Sequence, residues 1–263
     1  MSAISDLIRF KKINTAYLSW KNIKKISETL NANRLLNYYT TPTIFFQEAS
    51  EQDLELANQK NIQAIPCDQN IGTTFAFSEL VSFAISENLE YFIYLENDWQ
   101  LCENPNKAIK YLNVCLDLID SGKADIVHLR NSKNPGSPLY CSGDRDIIDP
   151  NSRRKLEARF FRNPSDTYPE FVNSEIIDNN IWFFTTSKHQ NWSAAPILCK
   201  TEFLVSNVLP MMKETKQDLD KHTGLEDMMI GYHPWHKHEY KIAASNNGLF
   251  THCGGKKSKH EIQ

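Results

Sequence analysis

The sequence feature that most constrains the fold is a run of five apolar and aromatic residues, Tyr91 to Leu95, followed by Glu96, Asn97 and Asp98. A continuous run of this kind is typical of a strand buried on both faces of a sheet. Open α/β sheets bind their ligands at the carboxyl ends of such strands. Two carboxylates this close together repel each other unless a cation lies beside them. A hard divalent ion such as Mg²⁺ or Mn²⁺ prefers oxygen ligands and would also hold a diphosphate. The alternative is a polar loop that caps the next helix.

Composition and charge exclude several classes of protein. The 263 residues are enough for one large domain, and 41% apolar with 23% charged residues is ordinary for a soluble globular protein. A net charge of -3 argues against nucleic acid as a partner, because phosphate backbones call for a basic surface. No apolar run approaches the roughly 20 residues of a transmembrane segment. The first twelve residues lack a signal-peptide pattern, so we expect a cytoplasmic protein whose six scattered cysteines are reduced thiols.

Apolar periodicity predicts alternating strands and helices in the first half of the chain. The predicted strands are 15–20, 43–46, 62–66, 91–95 and 124–129. The predicted helices are 21–36, 50–60, 73–88 and 104–119, the third and fourth starting after turn and capping signals. Parallel neighbours need crossover connections, so four strand-helix units predict a mostly parallel sheet flanked by helices. Neither Gly-x-Gly-x-x-Gly nor Gly-x-x-x-x-Gly-Lys occurs, which leaves a dinucleotide-binding domain and a P-loop unsupported.

The composition changes between residues 131 and 190, where Asn, Ser, Pro, Arg and Asp dominate. We expect a long irregular insertion there, since such regions inside a compact domain are usually functional. Regular structure is predicted to resume near residue 197, with a helix over 200–212 and a short strand over 240–243.

The order of five motifs resembles one family. The segments SWKN, FFQEAS, DQNIG, YLENDW and GLEDMM follow one another as in the GT-A fold glycosyltransferases of the family 2 type. The resemblance implies an α/β fold with a Rossmann-like, mostly parallel central sheet. It further implies a single domain over 1–263, in which 13–130 bind the nucleotide-sugar and 131–263, with the insertion 131–190, bind the acceptor.

The same resemblance implies an activity. Family members of this type transfer a sugar from a nucleoside-diphosphate-sugar to an acceptor hydroxyl, a reaction of class EC 2.4. For this chain it implies a UDP- or GDP-sugar donor, a glycan or glycoconjugate acceptor, Mn²⁺ or Mg²⁺ as cofactor, and a single displacement that inverts the anomeric carbon.

The resemblance also assigns roles to individual residues. Glu96, Asn97 and Asp98 fall on the family's Asp-x-Asp motif, with Asp98 and Glu96 as metal ligands and His252 as a third ligand. Asp227 falls on the family's general base, beside Glu226. The remaining positions implied in nucleotide-sugar binding are Ser19, Glu48, Asn70, Gly72 and Trp192.

Other interpretations of these residues stay open. Glu226 and Asp227 suit the first turn of a helix, where carboxylates meet the dipole favourably. Trp192 would serve equally as a buried anchor, and a late histidine such as His252 is often a surface residue. Three further histidines, His233, His236 and His238, suggest zinc but fit no zinc spacing, so a polar turn is favoured. Arg130, Arg153 and Arg154 suit either phosphate contact or a solvated surface.

Two other functions fit the same residues. A nucleotidyltransferase would also use carboxylates and a metal ion, although the Gly-rich basic loop it needs is absent after the first strand. A non-catalytic sugar- or nucleotide-binding module would keep the fold and lose the chemistry. The presence of both Asp98 and Asp227 favours the enzyme.

Overall fold

The computed structural model describes residues 9–137, 164–190, 192, 196–214, 225 and 234–254. Its strands are β1 (Ile13–Trp20), β2 (Thr41–Gln47), β3 (Gln63–Cys67), β4 (Tyr91–Glu96), β5 (Trp99–Leu101), β6 (Ile126–His128), β7 (Gly136–Ser137), β8 (Asn173–Ile177), β9 (Asn180–Thr186), β10 (Ile197–Lys200), β11 (Lys241–Ser245) and β12 (Phe250–Cys253). Its α-helices are α1 (Ile23–Ala32), α2 (Arg34–Tyr39), α3 (Glu51–Gln59), α4 (Gly72–Ser86), α5 (Pro105–Asp120), α6 (Pro164–Thr167), α7 (Thr201–Phe203) and α8 (Leu209–Glu214), with a π-helical turn at Leu204–Val208 and a 3₁₀ turn at Pro234–Lys237.

Most strands of the main sheet run in one direction. Within the described residues this sheet has nine strands in the order β3-β2-β1-β4-β10-β6-β11-β9-β8. The pairings make β10 and β9 antiparallel to their neighbours, so the other seven strands point the same way. This confirms the predicted mostly parallel sheet. A smaller sheet, β5-β12-β7, lies beside it.

Helices cover both faces of the main sheet. Along β4, Tyr91, Ile93 and Leu95 join the apolar cluster under α1, α2, α3 and α5, whereas Phe92 and Tyr94 join the cluster under α4. All five side chains are buried, as the continuous apolar run predicts. Burial on both faces is the reason this strand carries no alternation of polar and apolar residues.

Two sequence predictions need correction. The predicted helix 21–36 is interrupted at Asn33, which ends α1 and precedes α2. The insertion is not irregular throughout, because 173–186 form the β8–β9 hairpin, and β9 extends the main sheet by pairing with β11. Asn, Asp and Ser in this stretch obscured the strands; Asp178 and Asn179 form the hairpin turn with positive φ, a conformation these residue types tolerate. No helix in the described parts of the chain is both long and apolar enough to cross a bilayer.

One buried histidine makes the stability depend on pH. His128 ends β6, and its Nε2 atom accepts a hydrogen bond of 3.2 Å from the Gln190 side-chain amide. Burial lowers the pKa of His128 to about 4. The unfolded chain therefore binds a proton below about pH 6.5 that the folded chain accepts only near pH 4.

We expect the free energy of unfolding to fall as the pH drops from 6.5 to 4, by up to about 3 kcal/mol from this group. Replacing His128 with glutamine removes the titrating group and should flatten this part of the pH profile. Urea unfolding of both proteins at several pH values measures the difference. Parallel profiles for the wild type and His128→Gln between pH 7 and pH 4.5 would contradict the assignment.

Candidate functional site

The carboxyl ends of four neighbouring strands meet at one edge of the main sheet. In the parallel register Leu18 lies opposite Glu96, and Gln47 lies opposite both Trp20 and Cys67. The loops that follow β1, β2, β3 and β4 therefore start side by side. Ser19, Glu48, Asn70, Glu96 and Asp98, predicted from separate motifs, lie on or directly after these strand ends.

The turn before α4 is tied to the end of β2. The Ile71 amide donates to Gln47 Oε1 at 2.9 Å, and the Gly72 amide donates to Asn70 Oδ1, also at 2.9 Å. Gly72 has φ of +77°, a left-handed conformation in which glycine avoids a steric cost. Asn70 and Gly72 thus set where α4 begins, and they place its N-terminus at this edge of the sheet.

An ion pair links the loops after β1 and β2. Lys21 Nζ contacts the Glu48 carboxylate, and the same ammonium lies 5.6 Å from the centre of the exposed Trp20 ring. Ser19, directly before, is buried. Glu48 therefore belongs to a small charged and aromatic surface at the strand ends, and the other predicted nucleoside-binding position, Ser19, is buried next to Trp20 in the chain.

Asp98 pairs with His252 across the two sheets. Asp98 Oδ2 lies 3.0 Å from His252 Nε2, and the two side chains are 20% and 8% exposed. Because β12 runs antiparallel to β5, His252 lies opposite Trp99, and the Cys253 amide donates to the Asp98 carbonyl at 2.7 Å. The structure therefore brings together two residues that were assigned to one metal from distant motifs.

Each partner of this pair keeps a buried atom with no hydrogen bond. Within the described residues, Asp98 Oδ1 and His252 Nδ1 are enclosed and lack a partner. Buried polar atoms rarely stay unsatisfied, so a ligand is a natural partner for Asp98 Oδ1. The 3.0 Å spacing also suits a divalent ion, because adjacent ligands of an octahedral ion at about 2.1 Å lie roughly 3 Å apart.

Two protein ligands alone do not complete a metal site. In the part of the chain that the structure describes, no group of three or more His, Cys, Asp or Glu side chains is arranged to hold a metal ion. Glu96 is half-buried at the end of β4 and belongs to no such group. Ions such as Mg²⁺ usually take only one or two carboxylates and fill the remaining positions with substrate phosphate and water. The residues present fit that kind of site.

Aromatic and glycine residues that the sequence analysis left out shape the position of His252. The Trp99 ring lies 4.5 Å from the His252 ring at 35°, and the Arg130 guanidinium lies 5.0 Å from the Trp99 ring. Gly136 has φ of +76°, and a Cβ atom there would collide with the His252 backbone. The sequence contained one signal for Trp99, its place as the last residue of the YLENDW motif.

Trp192 is enclosed by protein in the described residues. It is 2% exposed, and its ring meets Phe77 and Trp235 edge-on at 6.2 and 5.4 Å. This packing matches the buried-anchor interpretation, and stacking on a sugar stays an untested prediction. The residues on either side, 191 and 193–195, lie outside the described residues.

The predicted general base, Asp227, lies outside the described residues, whereas Leu225, two positions before it, is described. Glu226 and Asp227 are not described. Leu225 is buried in the cluster under α4, and its amide donates to Thr74 Oγ1 at 2.9 Å. Thr74 lies in the first turn of α4, so Leu225 is anchored at the helix end that faces the candidate site.

His236 and His238, the two described histidines before β11, make local contacts. His236 is buried with Nδ1 2.7 Å from the Ser187 carbonyl oxygen, and the exposed His238 stacks on Tyr240. His233 lies outside the described residues. These contacts agree with a polar turn.

No protein-family model matches the sequence, and a search of curated proteins gives no match. Solved structures do share the fold. The crystal structure of S. aureus TarS 1-349 matches with a TM-score of 0.55 at 12% identity, over 91% of this chain and 60% of that chain. The crystal structure of S. aureus TarS matches with a TM-score of 0.53 at 12% identity, over 92% of this chain and 36% of that chain.

This chain spans less than two thirds of either TarS structure. At 12% identity the likeness establishes the fold alone. Together with the strand order and the helices on both faces, it shows that the chain has the GT-A-like fold that the resemblance implied.

Proposed function

We propose that this chain is a metal-dependent glycosyltransferase that moves a sugar from a UDP- or GDP-sugar to a hydroxyl group of a glycan or glycoconjugate, with inversion at the anomeric carbon. The observation that carries the proposal is the Asp98–His252 pair at the carboxyl edge of a GT-A-like sheet. The pair leaves a carboxylate oxygen buried and unpartnered among the described residues, at the edge where such sheets bind ligands.

Asp98 and His252 would hold Mn²⁺ or Mg²⁺, and Glu96, two residues before Asp98 in the chain, would assist them. When bound, such an ion neutralises negative charge on a departing nucleoside diphosphate. The antiparallel pairing of His252 with Trp99 fixes the backbone that carries the imidazole beside Asp98, so these two groups would meet the ion already in position. Preorganised charges stabilise a transition state without a reorganisation cost.

The donor nucleoside would bind over the ends of β1, β2 and β3. Ser19, Glu48, Asn70 and Gly72 lie along that edge, and the N-terminus of α4 is aligned there by the Gln47–Ile71 hydrogen bond. A helix N-terminus favours anionic groups, which suits a diphosphate between this edge and Asp98.

Asp227 would act as the general base. A sugar hydroxyl is a poor nucleophile until a proton leaves as the new bond forms. Asp227 follows the anchored Leu225 by two residues, and Leu225 is bonded to the first turn of α4. One base suffices for a single displacement, in which the acceptor oxygen attacks opposite the leaving diphosphate and inverts the anomeric carbon.

The proposal is tested by incubating the protein with UDP-sugars and GDP-sugars, each with Mn²⁺ or with a chelator. Binding is measured in parallel by thermal shift, since a ligand specific for the folded state stabilises it by about 2.7 kcal/mol at a hundredfold excess over its dissociation constant. We expect the sugars of one nucleotide, either UDP or GDP, to give both a Mn²⁺-dependent thermal shift and released nucleoside diphosphate.

The other outcomes separate the alternatives. Release of pyrophosphate from a nucleoside triphosphate would indicate a nucleotidyltransferase. A ligand-induced shift without any released product, with a range of glycan acceptors present, would indicate a binding module. No shift with any nucleotide and either metal would overturn the diphosphate site at Asp98.

A further inference from the structure

Two buried side chains at the end of α1 hold the backbone around Asp98. We name residues 97–101 the Asp98 segment. Thr29 Oγ1 donates to the Asn97 carbonyl at 2.8 Å. Asn33 Nδ2 donates to the Trp99 carbonyl at 3.0 Å, and the Leu101 amide donates to Asn33 Oδ1 at 2.7 Å.

The spacing of these two residues explains how one helix supports the whole segment. Thr29 and Asn33 are four residues apart, so they lie on the same helical face one turn from each other. Both side chains are fully buried. Their three hydrogen bonds reach the backbone on both sides of Asp98, while the Cys253 amide binds the Asp98 carbonyl itself.

The Asn33 side chain bonds to β5 and does not cap the helix that follows it. Asparagine at a helix start usually caps the helix with its side chain. Asn33 precedes α2 without any side-chain capping bond, because both ends of its amide are bonded to β5. The break between α1 and α2 therefore falls at the residue whose side chain is bonded to the Asp98 segment.

We infer that Thr29 and Asn33 are positioning residues for the metal ligand Asp98, and this inference rests on the proposed function. Asp98 has to meet His252 Nε2 at 3.0 Å, and Thr29 and Asn33 hold the backbone of the residues on either side of it. Groups that orient a metal ligand typically change metal affinity about 10- to 100-fold when they are replaced.

The test replaces Thr29 with valine, which keeps the shape and removes the hydroxyl. The matched control is Thr201→Val. Thr201 is also buried, and its hydroxyl also donates to a backbone carbonyl, that of Leu89, at 2.6 Å. Thr201 lies at the start of α7, directly after β10. Its partner Leu89 comes just before β4, so the bond lies at the end of the strands opposite to Asp98.

Two quantities are measured on the full chain. The first is the Mn²⁺ affinity in the presence of UDP or GDP, which is measured from the electron paramagnetic resonance signal of free Mn²⁺. The second is amide hydrogen exchange of residues 97–101 without ligand. For Thr29→Val we expect about tenfold weaker Mn²⁺ binding and about fivefold faster exchange, the scale of one lost buried hydrogen bond.

The conservative variant Thr29→Ser retains the hydroxyl and should keep both quantities near the wild-type values. Asn33→Asp should weaken Mn²⁺ binding as Thr29→Val does, because it opposes an oxygen to the Trp99 carbonyl. Equal effects of Thr29→Val and Thr201→Val on both measurements would overturn the inference.

The two proposals fail in different ways. If the wild type binds no Mn²⁺ with either nucleotide, the proposed function fails. Hydrogen exchange then still decides whether Thr29 holds the Asp98 segment. Faster exchange of residues 97–101 in Thr29→Val but not in Thr201→Val would confirm that it does, and unchanged exchange in Thr29→Val would refute it.

Discussion

Replacing Asp98 with asparagine is expected to reduce nucleoside-diphosphate release from the donor by at least about 100-fold, the scale for losing one group that stabilises transition-state charge. The amide keeps an oxygen that can face His252 Nε2, so the fold around the pair should survive. It removes the negative charge that would bind the divalent ion and leaves the buried Oδ1 position uncharged. Loss of the Mn²⁺-dependent thermal shift should accompany the loss of activity.

The control for this variant is Asp178→Asn. Asp178 is an exposed carboxylate in the β8–β9 turn, with φ of +48° that asparagine adopts equally well. The same change of charge there should leave activity and Mn²⁺ binding unchanged. Wild-type activity in Asp98→Asn, in a protein with an unchanged melting temperature, would exclude Asp98 from the reaction.

Replacing Asp227 with asparagine is expected to lower turnover by about 10²- to 10⁴-fold, the usual contribution of a general base. Donor binding should stay intact, because the proposed donor contacts lie on Ser19, Glu48 and the Asn70–Gly72 turn. Steady-state kinetics with the donor and acceptor identified from the nucleotide-sugar panel separates turnover from KM. The thermal shift with donor and Mn²⁺ measures binding independently.

Glu226→Gln serves as the comparison for Asp227→Asn. Both changes remove one negative charge next to the anchored Leu225, and only one of the two carboxylates can be the main base. We expect the smaller loss of turnover in Glu226→Gln. A larger loss there would transfer the role of base to Glu226, and unchanged turnover in both variants would rule out a base on this motif.

Local sequence was sufficient to predict the strands β1 to β4 and β6 and the sheet edge that carries the candidate site. The apolar run from Tyr91 to Leu95 is buried on both sides, and α3, the predicted helix 50–60, starts with a capping box of Ser50 and Asp53. Each of these features depends on residues close together in the chain. Strand and helix signals of that kind survive folding because the core only reinforces them.

Contacts between distant segments were not predictable in the same way. Asn33, where the helix is interrupted, bonds to a strand more than sixty residues later, and helical periodicity carries no information about such a contact. The strand 173–177 is mostly exposed and pairs only with β9, and the strand 180–186 joins the main sheet through its pairing with β11. Trp192 has the same sequence signal whether it faces a sugar or the rings of Phe77 and Trp235.

The sequence by itself determined that carboxylates follow β4, that strands and helices alternate, and that the motifs resemble those of GT-A glycosyltransferases. Only the tertiary structure decided that His252 meets Asp98, that Trp99 and Gly136 surround His252, and that Thr29 and Asn33 hold the Asp98 segment. The physical reason is that local propensity follows from neighbouring residues. Burial and hydrogen-bond partners depend on strands and helices that approach one another only when the chain is folded.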